Sequence, residues 1–186
     1  MSSEPLDRRT FFRAGLRHFA RALRDPRPLR RLRPPGALPE AEFLRACTRC
    51  DECVRVCPAQ CIVHVPEGYA DAGTPLIAPD SRACVLCSSL ACTHVCEPAA
   101  LRPLQAPAEV RIGLALVDRG ACVAFQGVFC PICRDVCPTA PKAIELDGGR
   151  PRVRADLCTG CGLCEERCPT RPRAVRVMLL DAVRGA

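Results

Sequence analysis

Large aromatic side chains are nearly missing from this sequence: tryptophan is absent, tyrosine occurs once, and aromatic residues make up 4% of 186. The rings that usually fill a core are too few to build one, so another group has to organise the interior. No run of about 18 apolar residues occurs, and no membrane-spanning helix is legible. Paired acids, an activated nucleophile and a nucleotide-cradling glycine loop are lacking too, which argues that the protein is not an enzyme. Lysine is confined to Lys142, and arginine supplies every other basic side chain.

In place of aromatics the chain carries 17 cysteines. An odd number leaves one over, and no cleavable secretory segment is legible, so reduced thiols in a cytoplasmic setting are expected rather than a disulfide framework. Their spacing says more than their number. Cys158, Cys161, Cys164 and Cys168, followed by Pro169, form the run CTGCGLCEERCP, which is the ligand pattern of a bacterial-type [4Fe–4S] ferredoxin. Three closely spaced thiolates face one cubane, while the fourth leaves in a new direction and, in two-cluster ferredoxins, ligates the neighbouring cluster. The proline then fixes its own φ and steers the chain out of the loop.

Three related groups precede it. Cys47, Cys50, Cys53 and Cys57, before Pro58, repeat the same spacing. Cys84, Cys87, Cys92 and Cys96 have two extra residues in the middle of the loop, and Cys122 stands well upstream of Cys130, Cys133 and Cys137. All sixteen are candidate ligands of iron, and the expected cofactors are three or four [4Fe–4S] clusters. C-x-x-C pairs also hold zinc, but proline-terminated four-cysteine runs match iron–sulfur ligation much better. His18, His64 and His94 stand at no ligand spacing and read as surface residues.

A small-then-aliphatic pair follows each group: Cys61-Ile62, Ala100-Leu101, Ala143-Ile144 and Ala174-Val175. One unit is thus repeated four times, each pair marking the entry to a short strand. Cys61 holds the position of alanine in the other repeats and reads as a small buried thiol. Alternation over Val110, Ile112, Leu114 and Leu116 predicts a strand, as do residues 76–78 and 151–154, the last preceded by a turn at Asp147-Gly148-Gly149. Helical turns are expected around residues 53–57 and 164–168. The fold class is therefore α+β: small bacterial-type ferredoxin-like modules stabilised by their clusters, with short antiparallel strands, short helices and an N-terminal amphipathic helix. Four groups can pair as two modules either in sequence or nested, and spacing leaves that open.

The formal net charge of +7 counts neutral thiols. Four cubanes on thiolates, at about −2 each, would bring the protein near neutrality, so no nucleic-acid partner is expected. Residues 1–45 differ from 46–186, the polyferredoxin region. Phe12, Leu16, Phe19 and Leu23 share one helical face and Arg13, Arg17 and Arg21 another, ahead of a proline-rich linker over 27–39. This basic helix could dock on a partner, an anionic membrane or its own domain. Arg8 and Arg9 begin a twin-arginine-like motif, but Arg17, His18, Arg21, Arg24 and Asp25 interrupt the apolar stretch that export needs.

Phe43-Leu44 leading into CTRCDEC, the long third loop CVAFQGVFCPICRDVCP and the closing PRVRADLCTGCGLC together resemble the NapF family, ferredoxin-type accessory proteins of periplasmic nitrate reductase systems. The resemblance covers nearly the whole chain. It implies a cytoplasmic protein that binds the precursor of the nitrate reductase catalytic subunit and assists its maturation before export, through iron–sulfur or electron supply. The alternative is an electron-transfer subunit of a membrane-associated quinol-oxidising assembly, with the basic helix lying on the membrane.

Overall fold

The computed structural model describes residues 31–180, and the expected N-terminal amphipathic helix lies outside the described residues. The first element is helix α1 (Glu40–Ala46), with Glu40 and Glu42 in its first turn and Arg45 in its last, matching the helix dipole at both ends. Phe43 on its inner face is fully buried.

Every cysteine group then closes on one turn of helix that carries its third cysteine. α2 (Glu52–Arg55) holds Cys53, α3 (Ala91–His94) holds Cys92, α4 (Ile132–Asp135) holds Cys133 and α5 (Leu163–Glu166) holds Cys164. The fourth cysteine stands two residues past the helix each time, at Cys57, Cys96, Cys137 and Cys168. Helices this short do not persist alone, so their shape is imposed by the loops around them. The widened second and third groups keep this ending, and their extra residues are taken up upstream of it.

The strands settle how the groups pair. β1 (Ile62–His64) and β2 (Pro75–Ile77) form an antiparallel hairpin between groups one and two. β3 (Leu114–Val117) pairs antiparallel with β6 (Val175–Met178), with Ala115 opposite Val177, and encloses groups three and four. β4 (Ile144–Asp147) and β5 (Arg150–Val153) form the hairpin inside that pair, turning through Gly148 and Gly149 at positive φ as the sequence predicts. In the first half a single antiparallel bridge, Ala37 to Leu101, takes the place of the outer strand pair. Two modules of one plan therefore follow each other, groups one with two and three with four, and α2 packs on α3 as α4 packs on α5. All four small-aliphatic pairs fall where expected: Ile62, Ile144 and Val175 begin strands, and Leu101 makes the bridge.

Two expectations change. Residues 31–39 are no free linker, because Leu32 is fully buried with its carbonyl accepting from Ile77 N–H at 2.7 Å, and Pro34 and Pro35 are buried. Arg33, 6% exposed, donates to Asp71, Glu40, Thr74 and the Pro75 carbonyl, and its guanidinium lies 4.7 Å from the Phe43 ring. The alternation from Val110 yields a strand only from Leu114. Val110 and Ile112 are buried, but Ile112 N–H donates to the Thr159 carbonyl at 2.8 Å, which ties this stretch to the fourth cysteine loop instead of to a strand. The interior holds a large cluster in which aliphatic residues such as Ile77, Val110 and Val177 mingle with cysteines, and a smaller one of Phe43, Ala100 and Leu101 beside Cys47, Cys53 and Cys96. Among the described residues no helix is long and apolar enough to cross a membrane.

Candidate iron–sulfur centres

The one-turn helices of groups one, two and four aim their third cysteine at a cavity, and the exits of groups one, two and three carry the fourth cysteine across to the neighbouring one. Cys47, Cys50 and Cys53 line a cavity together with Cys96 from the second group. Cys84, Cys87 and Cys92 line another with Cys57 from the first group. Cys158, Cys161 and Cys164 share a third with Cys137. Groups thus exchange their last cysteine within a module. Of the remaining cysteines, Cys133 has Cys130 and Cys122 as neighbours in the second module, and by analogy with the three lined sites Cys168 would complete that set.

With their open mouths counted these cavities span about 390, 350 and 300 Å³, the first and third lined by four thiols and the second by five. A tetrahedral zinc ion would draw four sulfurs to about 4 Å of one another. Among the described residues no three His, Cys, Asp or Glu side chains are gathered for a single ion. The thiols surround a space instead, which fits a cubane whose four irons each take one ligand.

Electrostatics support the same sets. Burial pushes the Cys53 thiol up to about 12, helped by Cys47, Cys96 and Cys50. Cys92 is likewise pushed to about 12 by burial, then by Cys84 and Cys57. Burial raises Cys133 and Cys161 to about 11, and Cys164 also moves well up. Thiols that resist ionisation together need a cation to hold them as thiolates, so iron binding and proton release are linked.

The crossing cysteines are treated differently. Cys57 is lowered to about 5, first by a hydrogen bond from Cys61, whose Sγ lies 3.5 Å away. Cys137 is half-buried and Cys168 buried, which raises both, but the hydroxyls of Thr139 and Thr170 at 3.3 Å and nearby backbone N–H groups bring them below the usual thiol value. Each of these hydroxyls accepts from a backbone N–H, of Ala143 or Ala174, at 2.8 Å. A thiolate has no proton to give, so the threonine O–H must donate to sulfur. Sequence reasoning passed over these threonines, although Cys-Pro-Thr closes groups three and four and Cys-Pro-Ala closes group one.

The modules meet through their inner sites. Cys84 N–H donates to the Cys161 carbonyl at 2.9 Å, and Ala83 N–H donates to Glu166 Oε2 at 3.1 Å. Gly162, at φ +91°, lets the fourth loop close on the first module, since a Cβ there would lie 2.4 Å from Pro79 Cβ. In space the lined sets therefore run Cys47/50/53/96, Cys57/84/87/92 and Cys137/158/161/164, with Cys133 and its neighbours Cys122 and Cys130 next to the last of them. The first end opens to solvent at exposed Cys50. At the other end Phe129, 75% exposed, directly precedes Cys130. His64 pairs with Asp51 and His94 with the Leu104 carbonyl, both on the surface, while His18 lies outside the described residues.

Comparison with known proteins points the same way. A family described as "4Fe-4S binding domain" matches residues 151–172, which span β5 and the fourth group. Ferredoxin-type protein NapG of Escherichia coli is 38% identical over 170 residues, covering 83% of this chain and 73% of that protein. Methylamine utilization ferredoxin-type protein MauM of Methylorubrum extorquens is 39% identical over 158 residues, 79% of this chain and 72% of MauM. Ferredoxin-type protein NapF of Escherichia coli is 33% identical over 135 residues, 70% of this chain and 75% of NapF. The resemblance therefore holds at the level of ferredoxin-type proteins, and within them NapG matches at higher identity over a longer stretch than NapF. No solved structure matches the chain. On the strength of four cysteine sets and of relatives covered over more than two thirds of their length, this chain belongs to the NapG and MauM family of ferredoxin-type [4Fe–4S] proteins.

Proposed function

We propose that the protein is an electron carrier whose four cysteine sets each hold a [4Fe–4S] cluster, arranged as one line through both modules. Bound there, such clusters supply reversible one-electron storage. The observation that carries the reading is the Cys84 N–H to Cys161 carbonyl hydrogen bond, which brings ligand loops of two modules into direct contact. The Ala83 N–H to Glu166 hydrogen bond and the close packing of Gly162 on Pro79 reinforce that contact. The surrounding residues do the rest: the thiolates fix each site, the buried loops exclude water, and Thr139 and Thr170 donate hydrogen bonds that stabilise added negative charge. Exposed Cys50 at one end and the apolar Val128-Phe129 step at the other offer an entry and an exit.

The partner on this reading is a redox assembly, reached at the membrane through the basic N-terminal segment. The test is electron paramagnetic resonance of the anaerobically reduced protein. Spin–spin broadening between modules is expected, and spectra that sum as two isolated two-cluster halves would refute the continuous line.

The match to NapF favours a second reading, binding of the nitrate reductase catalytic precursor in the cytoplasm and assistance in its maturation. Anaerobic co-purification with the unexported precursor, with and without residues 1–30, separates the two. Precursor binding that needs the basic segment supports maturation; a full iron load, no precursor and recovery with membranes supports the electron carrier.

A further inference from the structure

The second cavity has a fifth cysteine. Cys61 is 2% exposed and lines the same space as Cys57, Cys84, Cys87 and Cys92. Its Sγ lies 3.5 Å from that of Cys57, and it hydrogen-bonds to Cys84 as well, so it sits between two ligands of one site. The equivalent cavity of the second module has Ala143 at this place. A position that asked only for a small buried side chain would be met by alanine here too, so the fold does not require the sulfur. Cys57 and Cys61 lie on the one stretch of chain that crosses to this cavity before β1, and each can present a thiol to it.

We propose that Cys61 is a reserve ligand of the second site, completing the set with Cys84, Cys87 and Cys92 whenever Cys57 is not bound. The proposal rests on that cavity being a [4Fe–4S] site. The exchange swaps one thiolate for another: an iron–sulfur bond to Cys61 forms as that to Cys57 breaks, Cys61 gives up its thiol proton, and Cys57 takes one up. No electron changes hands. The site thereby keeps four ligands through an event that would open any other site of the molecule.

The test is iron per chain on the full protein, purified without oxygen. Cys57→Ala is expected to keep the wild-type iron content, whereas Cys57→Ala with Cys61→Ala loses about four iron atoms, one cubane. Cys137→Ala, the crossing cysteine of the second module with Ala143 behind it, loses about four irons with nothing to replace it. Cys61→Ala alone, which restores the residue that the other repeats carry, starts with full iron but gives it up to a ferrous chelator several-fold faster than wild type. Iron loss in Cys57→Ala equal to that of the double variant overturns the proposal, as do a double variant that keeps its iron and equal chelation rates for Cys61→Ala and wild type. Failure of the underlying site reading would look different, as wild-type protein already short of one cubane.

Discussion

The two modules share a backbone plan and differ in how they protect their cysteines. In the second, Cys158, Cys161, Cys164 and Cys168 are all buried, and threonine hydroxyls attend both crossing cysteines. In the first, Cys50 is exposed, Cys47, Cys53, Cys57 and Cys96 are half-buried, Ala59 stands where Thr139 stands, and a thiol rather than a hydroxyl faces the crossing cysteine. The outer strand pair of the second module is likewise reduced to one bridge in the first. One module is closed and held by backbone pairing; the other is open and held by side chains of the 31–46 stretch.

The sharpest way to break the comparison is to remove a ligand from each side. Cys161→Ser and Cys50→Ser should each cost about four iron atoms. Cys161→Ser should also lower the thermal midpoint by more, because its loop is buried and bonded to the first module. Equal midpoints, measured by circular dichroism beside iron analysis, would remove the distinction between closed and open modules.

Next in size is the side-chain anchor of the open module. Arg33→Met leaves buried Asp71 facing fewer cations and should destabilise the protein by about 3–5 kcal/mol. Burial alone would raise the Asp71 carboxyl, but Arg31 and Arg33 hold it below its ordinary value. Its folded pKa being the lower one, the stabilisation is complete above the ordinary carboxylate range and is lost as pH falls through the depressed value. The gap in melting midpoint between wild type and Asp71→Asn should be constant from pH 8 to about 5 and close below about 4. A gap that widens on acidification would contradict the ion-pair account.

The junction comes third. Gly162→Ala forces a side chain against Pro79 at a left-handed φ, and a cost of about 1–3 kcal/mol is expected. The smallest effect belongs to the hydroxyls. Thr139→Val should lower the midpoint potential of the Cys137/158/161/164 site by roughly 20–60 mV, the one-electron equivalent of a hydrogen bond worth about 0.5–1.5 kcal/mol. The reciprocal Ala59→Thr should raise the second site, and redox titration followed by paramagnetic resonance reads both.

Much of this was legible in the sequence because the chemistry is local. Cys158 to Pro169 specifies a loop, a helical turn and an exit within one short run, and the pairs Cys61-Ile62 and Ala143-Ile144 mark strand entry because a small residue must pass the cavity before an aliphatic one can pair. The pairing of groups was not legible, since either order satisfies the same four motifs. It is decided by contacts distant in the chain, Leu114 opposite Met178 and Ala37 opposite Leu101. Residues 31–39 misled for a similar reason: Pro34, Pro35 and Gly36 carry the local signature of a linker, while the partners that hold Arg33 in place, Asp71 and Thr74, lie in the loop between β1 and β2. The widened second group departs from the regular run only when ligand runs are read linearly. In space Cys92 still starts its exit from α3 as Cys53 does from α2.

The measurement closest to the central claim is an anaerobic count of iron, acid-labile sulfide and reducing equivalents on the full chain. Four cubanes held by exchanged cysteines require about 16 irons, an equal amount of sulfide and about four electrons per chain. About eight irons with two electrons, or thiols occupied by zinc without sulfide, would contradict the account.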